Sequence, residues 1–133
     1  MLMKRIIIMM LLVLATISAN AQIYICTGDN VLVREGPGTN YPINGGFNNY
    51  YQTKIRYGRL CKGDIVSYHG QRKNGYMFVY NMGGGNGSYN CGWVSVKYFR
   101  QACRKCQNTD WFSNLSQYVP ACRTCGRRSF SDY

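Results

Sequence analysis

The side chains with most chemistry to offer are cysteines, seven of them in 133 residues, and four stand in two matched pairs. Cys103-x-x-Cys106 and Cys122-x-x-Cys125 are separated by fifteen residues, the spacing of a four-cysteine zinc site. A structural zinc ion would take four thiolates at about 2.3 Å and tie the two motifs together. The same sulfurs could instead form two disulfides, the common fate of cysteines outside the cytoplasm. Such bonds should run from one motif to the other, because a C-x-x-C pair closes only a small loop and suits redox exchange better than structure. Both readings stay open on spacing alone, with free or redox-active thiols as a third. Cys26, Cys61 and Cys91 remain, and an odd number is met most simply by one pair and one free thiol.

Other catalytic constellations are missing. His69 is the only histidine, and a Cys-His nucleophile pair needs a neighbouring cysteine and a third group to orient the ring. Before Gly70 it reads as a turn residue. The acids are Asp29, Glu35, Asp64, Asp110 and Asp132; three sit in turn motifs, which leaves no pair to face one bond. Gly83-Gly84-Gly85-Asn86-Gly87 lacks the Lys-Ser/Thr that completes a phosphate loop. The expectation is a protein that is not an enzyme.

The compartment is read from the first residues. Lys4-Arg5, an apolar run over 6–17 and Ala19-Asn20-Ala21 form a signal peptide over residues 1–21 with an A-x-A cleavage site, so the mature chain should begin at Gln22. No other stretch is long and apolar enough to span a bilayer, and Cys26 lies too far from the cleavage point for a lipid anchor. The protein should therefore be exported, periplasmic or extracellular. Without Lys4 and Arg5 there are 14 basic side chains against 5 acidic ones, a net charge of +9. That charge would draw in anionic cell-wall or surface polymers. None of the standard nucleic-acid recognition motifs is present.

The elements that must position these groups are short strands. Residues 31–43, V-L-V-R-E-G-P-G-T-N-Y-P-I, organise the chain: Val31 and Val33 share one strand face, and Gly36-Pro37-Gly38 breaks the run. A lead-in strand over 23–26 precedes it. An aromatic-rich loop follows over 44–58, then strands at 65–68, 76–80 and 92–96, with Asn74-Gly75 as a two-residue hairpin turn. Residues 81–90 read as a glycine-rich hairpin tip. In the tail, Trp111, Phe112, Leu115, Tyr118 and Val119 fall on one helix face, with Thr109 or Asp110 as cap and Pro120 as stop. The predicted fold class is mainly β, a small partly open barrel over 22–100 with a cysteine-rich tail over 101–133 that contains one helix.

Three landmarks in register make this chain resemble the bacterial SH3-like domain over most of residues 23–99. They are Val33-Arg34-Glu35-Gly36-Pro37-Gly38-Thr39, Leu60-Cys61-Lys62-Gly63-Asp64, and Gly92-Trp93-Val94-Ser95 with Tyr98. Leu32 stands where the family usually has asparagine, and Tyr76 where it often has tryptophan. In the tail, Cys125-Gly126 resembles a zinc-ribbon knuckle. The resemblance implies a five-stranded, partly open barrel that acts as a binding module, often recognising peptidoglycan or its peptides. Within it Trp93 is expected to pack in the core.

Tyrosines offer stacking area and a hydroxyl to sugar and peptide ligands at low entropic cost, and Tyr41, Tyr50, Tyr51 and Tyr57 lie in or beside the long first loop. They are the candidate ligand-binding residues; Cys103, Cys106, Cys122 and Cys125 are the candidate metal ligands. The expected partner is peptidoglycan or an anionic surface polymer. The alternative is a structural or regulatory subunit docked on a partner envelope protein.

Overall fold

The computed structural model describes residues 21–47, 57–82, 90–107 and 120–129. Residues 1–20 of the expected signal peptide, Tyr50, Tyr51, most of the glycine-rich tip and the predicted tail helix lie outside them.

The fold is mainly β, as the strand pattern predicts. Its strands are β1 (Gln22–Cys26), β2 (Val31–Leu32), β3 (Arg59–Leu60), β4 (Ile65–Lys73), β5 (Tyr76–Asn81), β6 (Cys91–Ser95) and β7 (Phe99–Gln101). A 3-10 turn, Val96–Tyr98, joins β6 to β7, and a single-turn helix α1, Arg104–Gln107, follows. Five strands form one antiparallel sheet in the order β6-β5-β4-β1-β7, while β2 and β3 form a separate antiparallel pair. The two sheets do not close into a barrel. A bridge between Arg34 and Trp93 stitches them on one side, with each backbone N–H donating to the other's carbonyl at 2.8 Å.

Alternation along each strand sorts the side chains into two faces. Tyr24 and Cys26 of β1, Val66 and Tyr68 of β4, Met77 and Val79 of β5, and Val94 of β6 point inward, where Val31, Val33, Phe47 and Leu60 cover them. Gly92 belongs to this face because a Cβ there would meet the Val33 side chain at 2.4 Å. Phe47 is wholly buried although it falls in the stretch read as a loop. Its carbonyl accepts from Gly58, and Asn44 donates through Nδ2 to the Cys91 carbonyl at 2.8 Å, so both ends of that stretch are fixed.

The predicted hairpin forms. Asn74 and Gly75 both take positive φ, 53° and 77°, the pair of left-handed residues that a two-residue turn of this hand needs. Two expectations are corrected. His69 lies within β4, exposed, rather than in a turn, because the strand runs on through a register irregularity between Tyr68 and Arg72 that Gly70 accommodates at φ 100°. Trp93 points outward and is only half-buried, because Val94, its neighbour in the strand, takes the inward position. No disulfide joins Cys26, Cys61 and Cys91 to one another; Cys26 faces the inner core and Cys91 the opposite face.

Candidate metal centre and binding cleft

The outer face carries a second, smaller core. Ile23, Ile25 and Ile65 lie there beside Ala102, Cys106 and Cys125, with Cys103, Cys122 and Met82 packed around them. The cysteine motifs are therefore built onto the sheet, through three local devices.

The first motif is set by α1. Gln107 donates its backbone N–H to the Cys103 carbonyl at 3.0 Å, closing one helical turn, and that turn brings Cys103 and Cys106 to the same side. The Gln107 amide then clamps the turn to β1: Oε1 accepts from the Ile23 N–H at 2.9 Å, and Nε2 donates to the carbonyls of Ile23 at 2.8 Å and Ala102 at 3.0 Å.

The second motif is a tight knuckle. Gly126 donates to the Cys122 carbonyl and Cys122 to the Arg127 carbonyl, each at 2.9 Å. Gly126 is needed twice over: its φ is 82°, and a Cβ there would stand 2.7 Å from the Arg100 guanidinium. Arg100 reaches across from β7 to donate to the Cys125 carbonyl.

The third device anchors the knuckle to the Lys62-Gly63-Asp64 turn. The Arg128 N–H donates to the Gly63 carbonyl at 3.0 Å, and its guanidinium lies 3.5 Å from Asp64. Asp64 is buried and also accepts from the Cys61 N–H at 2.6 Å. A turn that the sequence reads simply as the start of a strand thus holds the tail as well.

These contacts bring all four sulfurs within 4.8 Å of one another. Cys103 Sγ and Cys122 Sγ are 3.8 Å apart. A tetrahedron with arms of about 2.3 Å has edges of about 3.8 Å, so the cluster has the size of a four-thiolate metal site. Disulfides would put bonded sulfurs at about 2.05 Å, and all four thiols are free. The two motifs thus meet in the folded chain.

The environment of the cluster is polarised. Arg127, buried, donates its Nε–H to Cys106 Sγ at 3.3 Å and is held by the carbonyls of Pro120 and Arg128, each at 2.9 Å. Burial pushes the Cys106 thiol up to about 12 in spite of that donor. The backbone N–H of Cys125, helped by hydrogen bonds from the Cys106 and Cys125 thiols and against the effect of burial, pulls Cys122 down to about 6. A cation that needs thiolates would meet one of them already favoured, and would displace protons from the others.

The cleft lies elsewhere, where the organising strand meets the 3-10 turn. It measures about 310 Å³, and its walls include Asp29, Arg34, Tyr76, Ser95, Lys97 and Tyr98. The Lys97 ammonium stands 4.9 Å over the Tyr98 ring, a cation-π contact that keeps a positive charge at the rim. Arg34 Nη1 donates to the carbonyls of Thr39 at 3.3 Å and Tyr41 at 2.9 Å, which fixes the Gly-Pro-Gly loop beside the cleft.

Of the sequence-predicted tyrosines, Tyr41 and Tyr57 are not among its walls, and Tyr50 and Tyr51 lie outside the described residues. Tyr41 is 41% exposed and lays its ring over Gly36, where a Cβ would come within 2.1 Å of it; Tyr57 is 61% exposed. Sequence reading passed over Tyr76, Lys97 and Tyr98 because strand and turn residues reach one cleft only once the sheet is folded. Their one sequence signal is that Ser95 and Tyr98 belong to the closing Gly-Trp-Val-Ser motif.

No helix among the described residues is long and apolar enough to cross a membrane. Set against protein-family models, curated proteins and solved structures, the chain finds no match in any of the three comparisons.

Proposed function

We propose that this chain is an exported, non-enzymatic binding protein. In this reading an SH3-like, partly open barrel presents its cleft to a peptide of peptidoglycan or to a surface glycan, and a structural zinc ion held by Cys103, Cys106, Cys122 and Cys125 secures the tail. The observation that carries it is the cleft itself. Two tyrosines supply flat faces, Asp29 and Ser95 supply hydrogen-bonding groups, and Arg34 and Lys97 supply charge for a ligand with carboxylates. The net charge of +9 without the signal peptide adds long-range attraction to an anionic wall. The tail chemistry is supported by the 3.8 Å sulfur contact and by the convergence of both motifs.

The test is co-sedimentation with purified peptidoglycan across a salt series. Tyr98→Ala should weaken binding about tenfold, a change of about 1.4 kcal/mol. Lys97→Gln should flatten the salt dependence, since a rim charge acts through screened attraction. Normal binding by Tyr98→Ala would remove the cleft from the proposal.

One observation favours docking on a partner envelope protein instead. On the outer face Trp93, Phe78, Tyr80 and His69 form a row of ring contacts with centroids 5.2, 5.2 and 4.9 Å apart. Half-buried or exposed aromatics of this kind anchor protein interfaces.

A further inference from the structure

The two cysteines of each motif differ in a regular way. Cys103 and Cys122, the first of each pair, are half-buried, whereas Cys106 and Cys125 are buried against Ile23, Ile25 and Ile65. The two accessible sulfurs belong to different motifs and lie 3.8 Å apart. Cys106 is further secured by the Arg127 Nε–H, and Cys125 by the Arg100 guanidinium on its carbonyl.

We infer that Cys103 and Cys122 are the redox-reactive pair of the cluster, and that a low-molecular-weight disulfide oxidises them to a single bond between the motifs and so ejects the metal. The inference deepens the zinc reading given above and rests on it for the metal-release step. In the first step a thiolate of the exposed pair attacks one sulfur of the oxidant, forming a mixed disulfide and releasing one small thiolate. The second cysteine of the pair then attacks the protein sulfur of that mixed disulfide and releases the other small thiolate. Two cysteine thiolates lose two electrons, the oxidant is reduced to two thiols that take protons from solvent, and a divalent ion left with two of its four ligands departs. The sulfurs need to approach by a little under about 2 Å to reach bonding distance. An accessible thiolate with a nearby resolving cysteine is the arrangement that such exchange requires. The fork between zinc and disulfides that the spacing leaves open thus becomes two states of one cluster.

The sequence makes the pairing easy to read. Arg104 and Lys105 separate Cys103 from Cys106, Arg123 separates Cys122 from Cys125, and Trp111, Phe112 and Tyr118 lie between Cys106 and Cys122, so trypsin and chymotrypsin together place the four sulfurs in four different peptides. The full chain, loaded with zinc under reducing conditions and freed of reductant, is titrated anaerobically with oxidised glutathione. Released zinc is followed with a chromophoric chelator, remaining thiols are alkylated, and the peptides are mapped by mass spectrometry. The expected result is one zinc released per chain as the first disulfide forms, that disulfide joining Cys103 to Cys122, with Cys106 and Cys125 alkylated. A first disulfide within either motif, or between Cys106 and Cys125, overturns the inference, as does formation of the Cys103–Cys122 bond with zinc retained. If the reduced chain takes up no zinc, the zinc reading fails and the proposed metal release fails with it. The same titration of the metal-free chain then still decides whether Cys103 and Cys122 pair first.

Discussion

On its inner face the five-stranded sheet is covered by chain that brings its own apolar side chains, Val31, Val33, Phe47 and Leu60. On the outer face Ile23, Ile25 and Ile65 are covered by four cysteines and the turns that hold them. The inner core is sealed by dispersion and the hydrophobic effect, which ask only for shape and volume. The outer one holds four thiols around a common centre, and thiolates gathered so closely repel one another unless a cation or protons offset the charge. One sheet therefore carries one core built on apolar shape and one built on thiols, which in the reading proposed above answers to metal and redox state. β1 belongs to both, since Tyr24 and Cys26 face one and Ile23 and Ile25 the other.

In the zinc reading, the contrast breaks most visibly when the metal is removed. A zinc chelator, or Cys106→Ser, should abolish amide hydrogen-exchange protection in 102–107 and 120–129 while the hairpin of β4 and β5 keeps its own. Uniform loss across the sheet would show that the two cores are not separable.

Next in size is Met77→Ala. Met77 is fully buried in the inner core, so the change should cost about 2–5 kcal/mol in urea unfolding, with zinc content unchanged. Trp93→Ala makes a sharper comparison, because its ring is half-buried against Phe78. It should cost about 1–2 kcal/mol, which is below the value for Met77→Ala, and leave the fold intact.

The smallest effect is the pH profile of the metal-free chain. Cys122 is held at about 6 against an ordinary 9.0, so its contribution is complete above 9.0 and is lost as pH falls toward 6. Cys106 is raised to about 12, so its contribution is complete below 9.0 and is lost as pH rises toward 12. These two groups alone place the stability maximum near pH 9, and Cys122→Ser should flatten the acid side. Thermal melts from pH 6 to 10 read this out.

What the sequence by itself determined are features encoded in a few neighbouring residues. Strand alternation at Val31-Leu32-Val33 placed two valines in the core, Asn74-Gly75 specified its turn, and the two C-x-x-C motifs named four sulfurs that meet. Each depends on local φ/ψ preference or on a loop bringing two nearby cysteines together. The tertiary structure alone decided the rest, because it turns on which strand lies beside which. The outward position of Trp93 follows from Val94, its neighbour in β6, joining Val33 and Leu60 in the inner core. The cleft draws Asp29, Tyr76 and Lys97 from three separate stretches of chain. The second core exists because the edge of β1 accepts the Gln107 amide and the turn at Gly63 and Asp64 accepts Arg128. No spacing along the chain encodes contacts of such range, since they form only when burial of both faces of β1 lowers the free energy of the whole sheet.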